Sequence, residues 1–435
     1  MFTATTGRLL EPTFFEVNNP VPVLPPSTSA RLVGVDWGSV AAQVPHLVDA
    51  LGRVLGGKSA ERELDALLRS KRGATAPQRR ALAETVFNVA LWRRRLAWFA
   101  GADAPAALWF TLLVGAGQSP EVAARLAQLS QPLTVRPDEP PDLATRWSSP
   151  DWLAALATRE FGPEAAPFLE SLSLPGPITV RAHVHRVSRE ALGDQLAREG
   201  RETRPCLHAP HGLHVITPRP NLYGLSAHRD ALFEVQDEGS QLLGELVGAR
   251  AGESILDLCA GAGGKTLQLA TAVGPSGTVH AFDIDTERLD RLQRRAERAR
   301  LQNIRIHRGG LPDTVRVHRV LVDAPCSEIG ALRRGPDARF RMDPGTFARW
   351  PALQLRLLEQ GARHLLPGGR LVYATCTVRH EENEAVAEAF ESRYPLVRRV
   401  LPEWAASFSD RGWFRALPHL HGTDGFFAAA YDLPH

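Results

Sequence analysis

Two cysteines occupy matching positions at the ends of two predicted strands. Cys326 lies in "VDAPCSEIG" (residues 322–330), directly after a proline, and Cys376 lies in "LVYATCTVRHEENEA" (371–385). Each follows an apolar run of the kind that forms a buried strand. Ligands of an open parallel sheet bind beyond the carboxyl ends of its strands. We therefore expect both thiols to face the same crevice.

A pair of thiols suits chemistry on an unreactive ring carbon. C5 of cytosine does not attack a methyl sulfonium unaided, but a thiolate that adds to C6 makes C5 enamine-like and nucleophilic. The C5 proton must then be removed and the thiol expelled, and a second thiol could assist this release. Asp323 is suited to hold the N3 and N4 edge of the ring, and Lys265 could lower a thiol pKa or contact the substrate. A lone buried cysteine is more often a small apolar residue, which explains Cys206.

A glycine-rich turn is the candidate cofactor site. "SILDLCAGAGGKTLQLATAVG" (254–274) begins as a strand, turns through Gly261, Gly263 and Gly264, and enters a helix. Such a turn lets a ligand approach the backbone and the free N–H groups of the helix. Asp283 ends the next strand, where an acid can accept hydrogen bonds from a ribose diol.

The glycine turn alone leaves several nucleotides open. A nicotinamide cofactor fits the strand spacing, but the turn is neither GxGxxG nor the phosphate-binding GxxxxGK[ST]. Together with Asp-Ala-Pro-Cys downstream, the pattern favours S-adenosylmethionine.

Composition narrows the class of protein. The chain has 435 residues, a formal net charge of +3 and four cysteines without a CxxC pair, so neither a metal site nor a disulfide framework is predicted. No apolar run is long enough to cross a membrane, and the first residues do not resemble a signal peptide. We expect a monomeric cytoplasmic protein that binds neither membrane nor DNA.

The pattern along the chain predicts a multidomain protein. Residues 1–32 are predicted to be a flexible arm, 33–130 an all-α bundle and 131–150 a proline-rich linker. Residues 151–235 read as a small helical and α+β module, with "ITVRAHV" and "GLHVIT" as strands. Residues 236–435 alternate strands and helices, as in a parallel, doubly wound α/β sheet.

An arginine-rich stretch lies beside the first cysteine. "ALRRGPDARFRMDPGTFARW" (331–350) contains Phe340 and Trp350 among its arginines. Guanidinium groups and aromatic rings together suit single-stranded RNA, so we predict RNA binding by Arg333, Arg334, Arg339 and Arg341. The arginines of "ERLDRLQRRAERAR" (287–300) fit either RNA or a solvated, salt-bridged helix face.

These motifs resemble the bacterial RNA cytosine-5 methyltransferases of the RsmB (Fmu/Sun) type. Five stretches resemble the motifs of the family's α/β Rossmann-like catalytic domain: "FEVQDEGSQLL", "LDLCAGAGGKT", "VDAPCSEIGALRRGPDARFR", "LLPGGRLVYATCTVRHEENE" and "LPHLHGTDGFFAA". "WSSPDWL" and "ITVRAHV" resemble the start of its RNA-binding module. "SAERELDALL" and "RRALAETVFNVALWRRRLAW" resemble its helical domain, which is similar to the NusB antiterminator.

The resemblance implies a role for each site residue. Cys376 becomes the nucleophile on C6 and Cys326 the release cysteine, with Asp323 and Lys265 as partners of the base. The cofactor S-adenosylmethionine would be lined by Cys259, Ala260, Gly261, Ala262, Gly263, Gly264, Lys265, Asp283, Gly310 and Asp323. The substrate implied is RNA, with 16S rRNA favoured, and "EEN" (381–383) would support the nucleophile loop.

The sequence departs from the family pattern at a few positions. Gly310 stands where an acid near the adenine is usual, Glu328 where a small residue is common, Ala262 for a proline and Thr377 for a serine. The same chemistry on tRNA or on another rRNA position stays open, as does a non-catalytic RNA-binding or ribosome assembly factor. A DNA cytosine methyltransferase is disfavoured, because the nucleophile of that family lies in the Pro-Cys motif and it lacks the second cysteine motif.

Overall fold

In this computed structural model the structure describes residues 22–70, 73–217, 220–335, 337–394 and 397–434. They divide into two compact units, with the boundary between Ser148 and Ser149. Among these residues no single helix is both long and apolar enough to cross a bilayer; one consecutive helix pair passes that test only when joined, and it is bent by 90°.

The first unit is all-helical, as predicted. Its helices are α1 (Pro26–Leu32), α2 (Val44–Leu55), α3 (Ala60–Ser70), α4 (Ala76–Ala100), α5 (Pro105–Gly115), α6 (Pro120–Leu126) and α7 (Leu143–Arg146), with a 3-10 helix at Trp37–Gln43. α4 begins with a capping box, in which Thr75 and Gln78 satisfy each other's backbone N–H groups, and it ends at Gly101 in the left-handed conformation. The fully buried Trp92 and Trp109 fill the core.

The structure corrects the boundary of the predicted arm. Residues 1–21 lie outside the described residues, but the segment that follows belongs to the helical unit. Val23, Leu24 and Leu32 are buried in its core, and Arg95 donates from Nε to the Val23 carbonyl over 2.7 Å. The prediction of a flexible arm is therefore wrong for residues 22–32, because Pro26–Leu32 form α1 and the apolar side chains of the segment are packed.

The predicted linker is likewise attached to the helical unit. Leu133 and Val135 pack against its core, and the Arg136 N–H donates to the Phe99 carbonyl over 3.0 Å. The Arg136 guanidinium also lies 4.7 Å from the centre of the Trp98 ring, within cation–π range. Most of residues 131–148 is therefore part of the first unit.

The small module at the start of the second unit has the predicted α+β character. Its elements are α8 (Asp151–Phe161), α9 (Ala165–Ser173), β1 (Ile178–Ala182), α10 (Arg189–Arg198), β2 (Thr203–Pro205), β3 (Gly212–Val215), α11 (Ser226–Arg229) and β4 (Phe233–Val235). The strands form an antiparallel sheet in the order β2-β3-β1-β4. The two predicted strands are β1 and β3.

The remaining residues form a larger α/β domain. Its elements are α12 (Glu238–Val247), β5 (Ser254–Asp257), α13 (Gly264–Val273), β6 (Thr278–Phe282), α14 (Thr286–Ala299), β7 (Ile304–His307), β8 (Val317–Asp323), α15 (Ala338–Arg341), α16 (Trp350–Arg363), β9 (Leu365–Thr375), α17 (Glu384–Glu391), β10 (Val397–Arg398), β11 (Ser409–Asp410), β12 (Trp413–Ala416), α18 (Pro418–His421) and β13 (Phe426–Asp432). Short 3-10 helices lie at Ile329–Arg334, Pro344–Arg349, His380–Glu382 and Glu403–Phe408.

The larger sheet is mixed, which corrects the prediction of a wholly parallel one. Its order is β11-β12-β13-β9-β8-β5-β6-β7, with β10 paired to β13. β5 to β9 run parallel, whereas β13 pairs with β9 antiparallel over six residue pairs. Apolar residues of α12 and α13 cover one face of the sheet, and those of α16 and α17 cover the other.

The strand order places three turns side by side. β8 lies between β5 and β9, and all three run in the same direction. The chain order reverses between β5 and β8, and ligands of open α/β sheets bind at such a switch point. The turns that follow β5, β8 and β9 carry the glycine-rich segment, Cys326 and Cys376 respectively.

Candidate active site

The structure brings the two predicted thiols together. The Cys326 and Cys376 Sγ atoms lie 3.4 Å apart, although the residues are 50 positions apart in sequence. Cys326 is 6% exposed, whereas Cys376 is only half-buried. Of the two residues, Cys376 is therefore the more exposed.

A buried acid supports both cysteine turns. Glu382 is fully buried and accepts hydrogen bonds from the Ser327 N–H at 2.9 Å and from the Ser327 hydroxyl. Gln354 Nε2 and Arg379 Nη1 donate to the same carboxylate over 3.1 and 3.0 Å. Asn383 holds the other turn, accepting from the Thr375 hydroxyl at 2.6 Å and donating to the Thr377 carbonyl. The predicted support by residues 381–383 is thus present at Glu382 and Asn383.

A close contact between two glycines fixes the same turns. The Gly330 N–H donates to the Cys376 carbonyl over 3.0 Å, and the Gly425 N–H donates to the Gly330 carbonyl over 2.9 Å. A methyl group at Gly330 would lie 2.1 Å from the Gly425 carbonyl oxygen, a distance that no side chain tolerates. Glycine at 330 is what allows the turn after β8 to lie against the turn after β9.

An ion pair lies beside the thiols. Lys265 Nζ donates to Asp323 Oδ2 over 2.7 Å, and the lysine side chain is 10% exposed. Burial alone would lower the pKa of Lys265, but the charge and hydrogen bond of Asp323 outweigh it and leave that pKa raised. The hydrogen bond with Cys326, followed by burial, holds the pKa of the Cys376 thiol well above its ordinary value. Cys376 is therefore a neutral thiol in the free protein at neutral pH.

Contacts from three directions hold the glycine-rich turn. Gly261 and Gly263 adopt positive φ values of 53° and 90°. The Gly261 N–H donates to Asp283 Oδ2 over 2.8 Å, and the buried Arg181 donates to the Gly264 carbonyl over 3.1 Å. Arg295 of α14 donates to the Ala262 carbonyl. These contacts pre-form the loop without help from a ligand.

The residues around this loop suit S-adenosylmethionine. Among the described residues, no atom lies within 4 Å of where a side chain would begin at Gly261 or Gly264, so space for a ligand is present above the turn. Asp257 Oδ1 is buried and has no hydrogen-bond partner among the described residues, so it could accept from an ammonium group. Ile284, next to Asp283, is 93% exposed and offers an apolar surface for a base.

Of the other predicted cofactor residues, Cys259 and Ala260 lie in the turn after β5, whereas Gly310 lies elsewhere. Cys259 follows β5 and is half-buried, and burial raises its pKa well above the ordinary value. The Ala260 N–H donates to the Phe282 carbonyl at the end of β6. Gly310 is exposed in the loop after β7, at the far end of the strand order from Cys376.

Two of the predicted RNA-binding arginines are engaged in ion pairs within the protein. Arg333 Nε donates to Asp424, and Arg334 Nε and Nη2 donate over 2.8 and 2.7 Å to Asp424 and Asp237. The side chains of both acids are almost fully buried. We call these four residues the Asp237 ion cluster. The cluster fixes the 3-10 helix after Cys326. Arg334 retains a side-chain exposure of 35%, whereas Arg333 retains 5%.

The remaining two arginines differ sharply. Arg339 is fully buried and donates to the Leu172 carbonyl and the Ser173 hydroxyl, so its guanidinium is not available to RNA in this structure. Arg341 pairs with Asp337 over 2.7 Å and keeps 39% of its side chain exposed. It lines a surface cavity of about 470 Å³ together with Glu328, Arg334 and Met342, among others.

The helix α14 is also anchored inside the protein. Arg295 and Arg298 donate to the two carboxylate oxygens of Glu234, both over 2.8 Å, and Glu234 is 4% exposed. Of the two interpretations left open by the sequence, the salt-bridged one holds for these residues. The exposed arginines of the helix are not tested by these contacts.

The fold of the chain matches those of two solved structures. The crystal structure of a protein designated PH0851 matches with a TM-score of 0.73 and 23% identity, over 89% of this chain and 98% of its own. A methyltransferase homologue from Pyrococcus horikoshii matches with a TM-score of 0.59 and 24% identity, over 67% and 98% of the two chains.

Sequence comparison makes the assignment specific. Residues 246–432 match the family described as "16S rRNA methyltransferase RsmB/F", and residues 149–221 match the ferredoxin-like domain of the RsmF/B type. The chain is 32% identical over 298 residues to "Probable ribosomal RNA small subunit methyltransferase B" of Bacillus subtilis (strain 168), an alignment that spans 66% of each protein. The protein of the same name from Synechocystis is 32% identical over 299 residues, 66% of this chain and 67% of its own length.

The chain belongs to the RsmB/F family of rRNA methyltransferases, and its cofactor is S-adenosylmethionine. The aligned part of the chain spans just under two thirds of the Bacillus relative. The likeness of the helical unit to NusB stays a prediction.

Proposed function

We propose that the protein methylates C5 of a cytosine in 16S rRNA through a covalent bond between Cys376 and C6 of the base. The observation that carries this proposal is the pair of sulfur atoms 3.4 Å apart, beside the Lys265–Asp323 ion pair. Bound S-adenosylmethionine supplies an electrophilic methyl group. The chain's own residues must then make C5 nucleophilic and afterwards free the product.

The different exposure of the two thiols supports their roles. Cys376, the half-buried sulfur, adds to C6 as the thiolate, while the ring electrons move towards C5 and N3. We assign the Asp323–Lys265 pair to the N3 and N4 edge of the cytosine, where it would offset the negative charge that develops on the ring. The raised pKa of Cys376 means that its proton must leave as the substrate binds. Covalent attack is thereby coupled to substrate binding.

Release requires a proton acceptor next to the adduct. Once C5 carries the methyl group, its proton must be removed so that the electron pair re-forms the C5–C6 double bond and expels the Cys376 thiolate. Cys326 is the titratable group hydrogen-bonded to Cys376, and its turn is fixed by Ser327 and Glu382. We assign this step to Cys326, whose thiolate accepts the C5 proton and becomes the thiol as the Cys376 thiolate leaves.

The assignment to 16S rRNA is supported by the family and by the names of the relatives. Both named relatives are small subunit methyltransferases, and the matching family description specifies 16S rRNA. A cytosine in folded RNA must leave its stack before C6 can be attacked. Glu328, two residues after Cys326 in sequence, lines a surface cavity together with Arg341. We assign this cavity to the RNA next to the flipped base.

A trapping experiment tests the covalent step. We expect Cys326→Ala, incubated with S-adenosylmethionine and unmodified 16S rRNA, to accumulate a protein–RNA adduct that survives a denaturing gel. The matched control is Cys326→Ala combined with Cys376→Ala, which should give no adduct. Adduct formed equally by the double variant would refute the role of Cys376.

The substrate is tested in the same assay. Unmodified 16S rRNA, 23S rRNA and bulk tRNA are compared as acceptors, and the modified base is identified after nuclease digestion. We expect 5-methylcytosine in 16S rRNA alone. Methylation confined to tRNA would overturn the substrate while leaving the chemistry intact, and no 5-methylcytosine in any RNA would overturn the chemistry.

A further inference from the structure

A second group of metal-binding side chains lies away from the active site. Cys206, His214 and Glu238 bring a sulfur, a ring nitrogen and a carboxylate oxygen within 4.8 Å of one another. Among the residues that the structure describes, no other group of three His, Cys, Asp or Glu side chains does so. Cys206 follows β2, His214 lies in β3, and Glu238 is the first residue of α12. We call these three residues the Cys206 cluster.

The spacing within the Cys206 cluster is that of metal ligands. His214 Nε2 and Glu238 Oε2 are 3.2 Å apart, and two ligand atoms bound tetrahedrally at about 2.0 Å from a zinc ion are about 3.3 Å apart. The other carboxylate oxygen, Oε1, accepts from the His208 and Ala209 N–H groups over 2.6 and 3.0 Å. The Glu238 carboxylate is therefore oriented by the backbone, with Oε2 directed towards the imidazole.

Gln241 adds an independent observation. The residue is 1% exposed, and its Nε2 donates to the Gln236 carbonyl over 3.0 Å, which fixes the orientation of the amide. Its Oε1 is buried and has no hydrogen-bond partner among the described residues. A methyl group at Gly212 would lie 2.6 Å from Cys206 Sγ and 3.0 Å from Gln241 Oε1, so both atoms border the same small space. An unpaired buried oxygen is costly unless a ligand completes it.

We propose that the Cys206 cluster binds a zinc ion, with Gln241 Oε1 as the fourth donor. A thiolate, an imidazole and a carboxylate are the donor types that zinc takes in proteins. Binding displaces the Cys206 proton to solvent, because the thiolate is the ligand. Thr179 Oγ1 lies 3.3 Å from His214 Nδ1 and is placed to orient the ring, as outer-shell partners of metal-bound histidines do.

Burial of the Cys206 cluster works against the thiolate as long as no metal ion is bound. Burial, followed by the charges of Glu238 and Asp237, raises the pKa of the Cys206 thiol. A nearby dication reverses this effect, since it stabilises the thiolate directly. The side chain of His214 is 14% exposed, which leaves a short route from solvent to the site.

The position of the site defines what zinc would do. β2 and β3 belong to the small module, whereas α12 opens the catalytic domain. A bound ion would join the two by bonds that do not depend on an apolar interface. The module that contacts RNA and the domain that performs catalysis would then be held in one fixed relation.

Zinc titration of the full-length protein tests the proposal. We expect chelator-treated protein to take up one equivalent of zinc and to unfold at a higher temperature when zinc is present. Cobalt as a substitute should give a thiolate-to-metal charge-transfer band. Cys206→Ser and His214→Gln should each weaken zinc binding at least about 100-fold, since even outer-shell substitutions cost 10–100-fold.

Two controls make the outcome decisive. His183→Gln alters another buried His–Glu pair of the module, in which His183 Nε2 lies 3.5 Å from Glu234 Oε1, and it should leave zinc binding unchanged. A second control variant combines Cys326→Ser with Cys376→Ser, which removes the two neighbouring thiols of the active site. This variant should also bind one equivalent of zinc. Zinc uptake that is absent from the wild-type protein, retained by Cys206→Ser, or lost with the Cys326 and Cys376 pair would overturn the proposal. Circular dichroism verifies that each variant is folded.

Discussion

The turns after β8 and β9 each carry a cysteine just beyond the end of a strand but are built differently. The turn after β8 is held by a side chain from elsewhere in the domain, since Ser327 is bound through its N–H and hydroxyl to Glu382, and its thiol is 6% exposed. The turn after β9 is held by an amide instead of an acid, since Asn383 accepts from the Thr375 hydroxyl and donates to the Thr377 carbonyl, and its cysteine is half-buried. The two cysteines therefore differ in their exposure and in the side chains that hold their turns.

This difference teaches how two similar thiols can have two roles. In the proposed mechanism the more exposed Cys376 adds to the base, and the more buried Cys326, hydrogen-bonded to it, assists release. One sulfur thus has a route to the substrate, and the other has a route to the first sulfur. Three substitutions and one pH series test these two roles.

The largest effect is expected from removing the exposed sulfur. Cys376→Ala should lower the methylation rate by about 10⁴- to 10⁶-fold, the scale on which loss of a covalent nucleophile acts in other enzymes. Transfer of a labelled methyl group to 16S rRNA measures this, in direct comparison with the wild-type protein. Activity within tenfold of wild type would show that the two sulfurs have been assigned the wrong way round or that neither is covalent.

The next effect concerns the support of the turn after β8. Glu382→Gln removes a buried charge that accepts from Ser327, Gln354 and Arg379, and should lower the free energy of unfolding by about 3 kcal/mol. Its neighbour Glu381, whose side chain is 41% exposed, is the control, and Glu381→Gln should change stability by less than about 1 kcal/mol. Urea denaturation measures both. Equal effects would contradict the special position of Glu382.

The contact between the two turns is tested at Gly330. Gly330→Ala pushes a methyl group into the Gly425 carbonyl and should lower the free energy of unfolding by about 2 kcal/mol, with a loss of activity. Gly335→Ala is the matched control, because the added carbon would meet Ala338 at 3.4 Å, an ordinary contact. If both variants unfold at the wild-type denaturant concentration, the close approach of the turns is not as described.

The smallest effect is a pH dependence. Because the pKa of Cys376 is raised, the thiolate is the minor form at neutral pH and its fraction grows with pH up to that pKa. kcat/KM, which reports groups of the free enzyme, should therefore rise about tenfold per pH unit between pH 7 and 9. A plateau that begins near pH 7 would show that the free thiol is already ionised.

Local sequence predicted much of the site because the motifs that carry it are local. Cys326 and Cys376 each follow their own strand, and a parallel arrangement of those strands was enough to bring the sulfurs together. The glycine-rich turn was recognisable for the same reason, since its strand, turn and helix are consecutive. The two-cysteine crevice therefore followed from short stretches and one rule about parallel sheets.

Long-range burial is what the sequence did not reveal. Arg339 looked like an RNA-binding residue, yet it is buried against Leu172 and Ser173, more than 160 positions earlier. Arg333 and Arg334 are held by Asp237 and Asp424, which come from two other segments of the domain. An arginine on a solvent face and an arginine in a buried ion cluster have the same local sequence, so only the fold separates them.

The predicted linker and the antiparallel strands had similar causes. Proline reported irregular backbone between residues 131 and 150 but not that Leu133 and Val135 are packed. The pairing of β13 with β9 depends on where the chain returns after residue 400, which no local period specifies.

The place of β13 has a consequence for the newly made chain. β9 leads directly into Cys376, but its outer neighbour, Phe426–Asp432, is translated 50 residues later. A nascent polypeptide that has reached residue 425 thus contains every side chain named in the active site and still has an unpaired edge along β9. The larger sheet is therefore completed only after the residues that form its active site have already been synthesised.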